Sequence, residues 1–236
     1  MKKTDLAALL PSMLFSVHAM AADVTDIPAP SATSFYTGAQ LGGASADVSV
    51  TDYYAGTSYE SGYTWDGDDT GLMGEVYLGL NYMATETFLI GVEADLGYAS
   101  LSDESYLDYE GVQDERYRYG WESGLQGSLR ARAGIMAGNA LLYATGGLAI
   151  GQQSFDVYER VSSTNFESFD ETMVGWTAGG GLEYAFLSNW TARVEYRYTD
   201  FGDVTITADI YDYSGSYDDE IKVTQQSLMA GVAYHF

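Results

Sequence analysis

Charged side chains of both signs recur inside otherwise apolar stretches, often at alternate positions. Glu93 and Asp95 form one such set, Arg130 and Arg132 another, and Arg193, Glu195 and Arg197 a third; Glu75 and Glu183 have similar settings. An i, i+2 spacing places side chains on one face of an extended strand. Strands facing one another would gather these groups into a single charged interior. Two chemistries are open to it. Paired Arg and carboxylate form a satisfied polar core, with guanidinium forks matched to carboxylates. Lining water instead, the same groups would make a narrow ion path. Other chemistries lack their parts. Of the two His, His18 lies in the N-terminal apolar run and His235 at the tip of the last strand, so a Ser-His-Asp centre in the long connections has no base. The absence of Cys removes thiolate nucleophiles, disulfides and thiolate metal sites. Asp66-Gly67-Asp68-Asp69 matches only the start of a calcium loop and lacks its distal glutamate. No catalytic residue, cofactor site or metal site is therefore expected.

The elements that must position these charges are strands. Apolar and polar residues alternate over 35–50, 72–82, 88–98, 123–135, 140–151, 173–186, 190–198 and 227–236. In 88–98, Ile90, Val92, Ala94, Leu96 and Tyr98 oppose Gly91, Glu93, Asp95 and Gly97. In 190–198, Trp190, Ala192, Val194, Tyr196 and Tyr198 oppose Thr191, Arg193, Glu195 and Arg197. The connections alternate in length: short near 83–87, 137–139 and 187–189, long over 51–71, 99–122, 152–172 and 199–224. Short turns at one end and long loops at the other are the pattern of a transmembrane β-barrel. The sequence thus predicts an all-β fold: an eight-stranded antiparallel transmembrane barrel with short periplasmic turns and four long extracellular loops. A soluble barrel would leave Trp176, Tyr184, Trp190 and Tyr196 on a wet outer wall. An eight-stranded barrel is filled by its own side chains, which favours the paired core over the ion path.

Composition narrows the partners. A formal net charge of −24 excludes nucleic acid. Lysine occurs only at Lys2, Lys3 and Lys222, so no Walker-type phosphate loop can be built. The 21 Tyr and 27 Gly suit aromatic girdles and close strand packing. The long connections are acidic, as in Asp66, Asp68 and Asp69, in Asp103, Glu104, Asp108 and Glu110, in Glu167, Asp170 and Glu171, and in Asp218, Asp219 and Glu220. They read as solvated, self-repelling loops, with divalent-cation bridging to lipopolysaccharide as the functional alternative. Met1-Lys2-Lys3, the apolar run from Leu6 and the small-residue pattern ending at Ala21 predict a signal peptide over 1–21, cleaved between Ala21 and Ala22. Residues 22–34, with Pro28 and Pro30, read as a flexible periplasmic leader, and 35–236 as the barrel. The closing strand ends on Val232, Tyr234 and Phe236 of one face, the expected C-terminal assembly signal for the barrel-assembly machinery.

The segments 141–149 (Leu-Leu-Tyr-Ala-Thr-Gly-Gly-Leu-Ala), 175–184 (Gly-Trp-Thr-Ala-Gly-Gly-Gly-Leu-Glu-Tyr) and 193–202 (Arg-Val-Glu-Tyr-Arg-Tyr-Thr-Asp-Phe-Gly) resemble the alphaproteobacterial small outer-membrane β-barrel family. That family includes Brucella and rhizobial surface antigens and Bartonella haemin-binding proteins. Residues 35–42, Phe-Tyr-Thr-Gly-Ala-Gln-Leu-Gly, are similar to the first strand of the OmpA membrane domain. The resemblance implies the outer membrane of a Gram-negative cell, and an even number of strands places both termini on the periplasmic side. It also implies a non-enzymatic role in envelope integrity and surface contact, through the acidic Tyr-rich loops. The expected partners are outer-membrane lipid, lipopolysaccharide and host surface molecules. The alternatives are a small-conductance porin-like channel and a receptor for haemin or a host ligand.

Overall fold

The structure, a computed structural model, describes residues 33–54, 56–159, 164–208 and 217–236. The expected signal segment, its cleavage point at Ala21 and Ala22, and nearly all of the leader lie outside the described residues. The strands are β1 (Thr33–Tyr54), β2 (Glu60–Met83), β3 (Phe88–Ser100), β4 (Ser102–Tyr109), β5 (Val112–Ala137), β6 (Ala140–Glu159), β7 (Thr164–Leu187), β8 (Trp190–Ala208) and β9 (Tyr217–His235). All pairings are antiparallel, and the β1–β9 and β1–β2 ladders close the sheet on itself. No edge is left at the waist of the barrel, which removes the usual liability of open strands.

Among the described residues there are nine strands, where the sequence predicts eight. The added one, β4, continues β3 past a break at Leu101, whose side chain is buried and whose carbonyl accepts from Ser123 N. It bridges β2 and β5 above the ring formed by the others. The long connections are also shorter than predicted. β1 and β2 stay paired out to Tyr53–Glu60, and β4 turns into β5 through Glu110 and Gly111, both at positive φ (48° and 81°). That is the backbone of a two-residue hairpin turn. Extending the ladders satisfies backbone groups that open loops would have to leave to water.

A change of polarity along each stave explains the extension. In β1, Phe35, Leu41 and their neighbours on the odd face point outward, while Tyr36 and Gln40 point in. Beyond Gly43 the same parity holds, yet Ala44, Ala46, Val48 and Val50 fill the interior and Asp47 and Ser49 point outward. β9 does the same: Leu228 and Val232 lie on the outer face, but higher up Ile221 and Val223 are buried and Glu220 and Lys222 exposed. The barrel therefore has two storeys. The storey with the short turns is apolar outside and polar inside; the far storey is the reverse.

The far storey holds the main apolar core, including Trp65, Leu101, Tyr119, Trp121, Phe155, Phe201 and Ile221. The other storey exposes Leu41, Leu72, Val76, Leu78, Leu129, Leu142, Leu148, Val174 and Leu182 on its outer wall, each more than half accessible. A soluble monomer seldom exposes an apolar patch above a few hundred Å², so this belt is built for lipid.

Candidate functional site

The interior of the lipid-facing storey is a charge belt. All the charged residues singled out above lie in it: Glu75 on β2, Glu93 and Asp95 on β3, Arg130 and Arg132 on β5, Glu183 on β7, and Arg193, Glu195 and Arg197 on β8. Arg130 reaches Glu93 at 2.5 Å and Glu195 at 2.8 Å. Arg193 reaches Glu93 at 2.7 Å, and Arg197 binds both oxygens of Glu75, at 2.9 and 2.8 Å, and Glu195 at 2.7 Å. Arg132 pairs with Glu183, and Ser128 donates to Asp95.

Neutral side chains complete the network. Tyr36 donates to Glu93 (2.7 Å), Tyr143 to Glu195 (2.8 Å) and Gln40 to Glu75 (2.6 Å); Arg193 Nε donates to Gln40 (2.7 Å). The guanidiniums of Arg193 and Arg132 lie 3.5 Å and 3.9 Å from the ring centroids of Tyr77 and Tyr143, within cation–π range. The belt has one more carboxylate (Glu75, Glu93, Asp95, Glu183, Glu195) than guanidiniums (Arg130, Arg132, Arg193, Arg197).

Glycine makes the belt possible. The ladder neighbours include Glu75 with Gly97, Glu93 with Gly79, Arg132 with Gly91, Arg130 with Gly147, Glu195 with Gly181, Arg197 with Gly179 and Arg193 with Gly231. Each long charged side chain thus lies beside a position without a Cβ. A Cβ at Gly79 would sit 2.2 Å from the Tyr36 ring, and one at Gly147 2.0 Å from the Leu129 carbonyl oxygen. Large and small residues alternate around the wall so that a narrow lumen can hold guanidiniums.

The belt is closed above and below. Above it, Gln126 and Gln225 exchange amide hydrogen bonds, and the apolar core of the far storey follows. Below it Tyr36, Tyr77 and Ala233 pack together. The short-turn mouth then opens into a cavity of about 490 Å³, with Leu89, Leu141, Glu183 and His235 on its wall. His235 stacks on Tyr36 and approaches Glu183 at 3.4 Å. Val232 and Phe236 of the closing strand are exposed on the outer wall, where the ring of Phe236 meets that of Tyr234. Among the described residues no group of three or more His, Cys, Asp or Glu is placed to hold a metal ion. The belt charges are bound to partners and, apart from Glu183 at the mouth, enclosed within the wall; their arrangement does the work of packing.

The chain matches the family described as the outer membrane protein beta-barrel domain over residues 7–236. The chain belongs to that family. It is 30% identical to the 31 kDa outer-membrane immunogenic protein of Brucella melitensis over the full length of both chains. It is 35% identical to the 22 kDa outer membrane protein of Rhizobium leguminosarum, over 77% of this chain and 74% of that one. The strand motifs at 141–149, 175–184 and 193–202 thus resemble the family to which the whole chain aligns. Among solved structures, OprG of Pseudomonas aeruginosa matches with a TM-score of 0.56 at 17% identity, covering 85% of this chain and 95% of that one. The outer membrane protease OmpT of Escherichia coli matches with a TM-score of 0.57 at 11% identity, covering 86% and 97%. At such identities the likeness concerns the fold alone. The protein is an outer-membrane β-barrel.

Tyr36, Gln40, Tyr77 and Tyr143 belong to the belt although the charge pattern does not single them out; parity is the signal that finds them, since each shares the inward face of its strand with a belt charge or another polar residue. Asp219, expected among the solvated loop acids, is instead buried, facing inward from β9. The correction follows from the polarity switch, since the inward face of the far storey continues through Val223, Ile221 and Asp219.

Proposed function

We propose that this protein is a sealed, non-enzymatic barrel that strengthens the outer membrane and displays an acidic, Tyr-rich storey to the exterior. In this reading β1, β2, β3 and β5 to β9 cross the membrane, both termini face the periplasm, and the four far connections are extracellular. The observation that carries the reading is the stack of seals in the lumen: the charge belt, the Gln126–Gln225 amide pair and the apolar core above them. An ion entering the belt would have to displace partners already held at hydrogen-bond distance, at a cost set by desolvation. The names of the Brucella relatives, outer-membrane immunogenic proteins, support surface exposure for a chain of this kind. Lipid, lipopolysaccharide, the barrel-assembly machinery and host molecules are its proposed partners; a haemin or host-ligand receptor is the alternative use of the same exposed storey.

Planar-bilayer recording of the purified folded protein tests the sealed reading. The expected result is no stable unit conductance. Reproducible unit steps abolished by Arg130→Ala or Glu195→Ala would establish the channel instead. Labelling of intact cells at a Cys introduced at Gly56 tests the orientation; protection of that site from an impermeant reagent would reverse it.

A further inference from the structure

The far storey contains a feature that neither packing nor display explains. Asp52 of β1 and Asp219 of β9 are direct partners across the ladder that closes the barrel. Both belong to the inward face, and both are buried, 5% and 7% exposed. Directly opposed residues in an antiparallel ladder have Cβ atoms about 4.5–5.5 Å apart. Two carboxyl groups so placed, out of water, cannot both ionise without mutual repulsion.

The surroundings give little relief. Below the pair lie Val50 and Ile221, both buried. From β8, Ile206 is the ladder partner of Asp219. From β2, Ser61 donates to Asp52. The nearby charges are all acidic: Asp218 acts on both carboxyls, Glu220 follows on β9, and Glu60 is the ladder partner of Tyr53 on β2. Among the described residues, no cation acts on either carboxyl and Asp52 Oδ1, which is buried, has no hydrogen-bond partner. Asp218 meanwhile accepts from Gly56 N at 2.9 Å, tying the β1–β2 turn to β9. The pair thus sits where β1, β2 and β9 are joined at the outermost end of the seam.

We propose that Asp52 and Asp219 form a proton-operated latch at the far end of the β1–β9 seam, shut while the pair is protonated and loosened when both protons are lost. With a proton retained, one carboxyl O–H can donate to the other group's oxygen. With both protons released to water, two buried anions face each other across the ladder, and separating the strand ends lets each hydrate. Burial, reinforced by the neighbouring carboxylates, raises Asp219 to about 7 and burial raises Asp52 to about 6. Both pKa values are raised above the ordinary value near 3.8. The closed state is therefore fully favoured below that value and loses stability as pH rises through the folded-state values. The sensitive window is the one between mildly acidic and neutral surroundings. The site lies well outside the lipid belt, because Leu41 to Asp52 spans roughly 36 Å of strand.

Hydrogen exchange of the folded protein in micelles, read by mass spectrometry from pH 5 to 8 and corrected for the intrinsic exchange rate, tests the latch. Peptides covering 50–54 and 217–221 are expected to lose at least about tenfold in protection across that range. Peptides covering 36–41 and 228–234 of the same seam are expected to stay unchanged. Asp219→Asn, which keeps the shape and removes the charge, should hold the far-end protection constant with pH, and Asp52→Asn should reduce the change. Both variants are first checked for the heat-modifiable band of a folded barrel. Far-end protection that does not change with pH in the parent protein overturns the proposal. So does a pH response that survives in Asp219→Asn, or one that is undiminished in Asp52→Asn, in whichever of the two folds.

Discussion

Glu93 is the belt residue whose loss should be felt most. It is 1% exposed, lies 2.5 Å from Arg130 and 2.7 Å from Arg193, and accepts the Tyr36 hydroxyl at 2.7 Å. Glu93→Ala would strand two guanidiniums and one phenol at once. Breaking a buried pair by removing one partner costs roughly 3–5 kcal/mol. The figure here belongs at the lower end, because Arg130 keeps Glu195 at 2.8 Å and Arg193 keeps Gln40 at 2.7 Å. About 3 kcal/mol is therefore expected for Glu93→Ala. Glu93→Gln should cost about half as much, since it keeps an acceptor and loses only the charge. Glu122→Ala, at an exposed position, should cost less than about 0.5 kcal/mol. Denaturant unfolding in micelles or vesicles, followed by tryptophan fluorescence, gives the differences; the gel shift between unboiled and boiled samples confirms the folded starting state. A Glu93→Ala barrel within about 1 kcal/mol of the parent would refute the view that the belt holds this storey together.

Adjacent glycines offer a sharper contrast. A Cβ at Gly42 would lie 2.0 Å from the Leu228 carbonyl oxygen, but at Gly43 the nearest atom is 3.9 Å away, so Gly42→Ala should lower refolding yield strongly while Gly43→Ala refolds normally. Phe155 is fully buried beside Tyr119 and Phe169; Phe155→Ala should cost about 3–5 kcal/mol, as in a soluble core, with loss of exchange protection confined to the far storey. Asp219→Asn should stabilise the protein at pH 8, by roughly 1–3 kcal/mol, and leave it nearly unchanged at pH 4, because only the ionised carboxyl opposes folding. Removal of Phe236, 73% exposed on the outer wall, should reduce the heat-modifiable fraction recovered from outer membranes without abolishing refolding in detergent.

The lipid-facing storey was legible because two demands coincide in it. Lipid requires apolar residues outside, the strand supplies a period of two, and so Ile90, Val92, Leu96 on one face and Glu93, Asp95 on the other declare their directions. The start of β3 at Phe88, β6 at Ala140 and β8 at Trp190 could be read for the same reason, since short turns leave no slack. The far storey is only partly legible, because its polarity is inverted. The alternation of Ala46, Val48 and Val50 with Asp47 and Ser49 reads as strand, but Trp65-Asp66-Gly67-Asp68-Asp69 of β2 looks like loop once the outward face has turned acidic. In β5, the register shift between Ser123 and Gln126 also breaks parity, so Tyr119 and Trp121 could not be tied to the face of Gln126. The belt's membership was readable from parity, but its pairings were not. That Arg130 meets Glu93 and Glu195 while Arg132 meets Glu183 depends on cross-strand register and barrel closure, which no local pattern carries.

The two storeys answer two solvents with one backbone. Around the far storey water drives apolar side chains inward, and burial at about 25 cal/mol per Å² gives that half a conventional core. Around the other storey lipid removes that drive, because an outward Leu is as well placed as an inward one. Something else must then choose the inward face and fix the register. Paired charges can do so, since a one-residue slip would carry Glu93 or Arg130 into hydrocarbon, where a charge is costly. The belt's contribution is therefore better described as specificity of register than as gross stability, and the glycines beside its charges are what allow that register to be filled without strain.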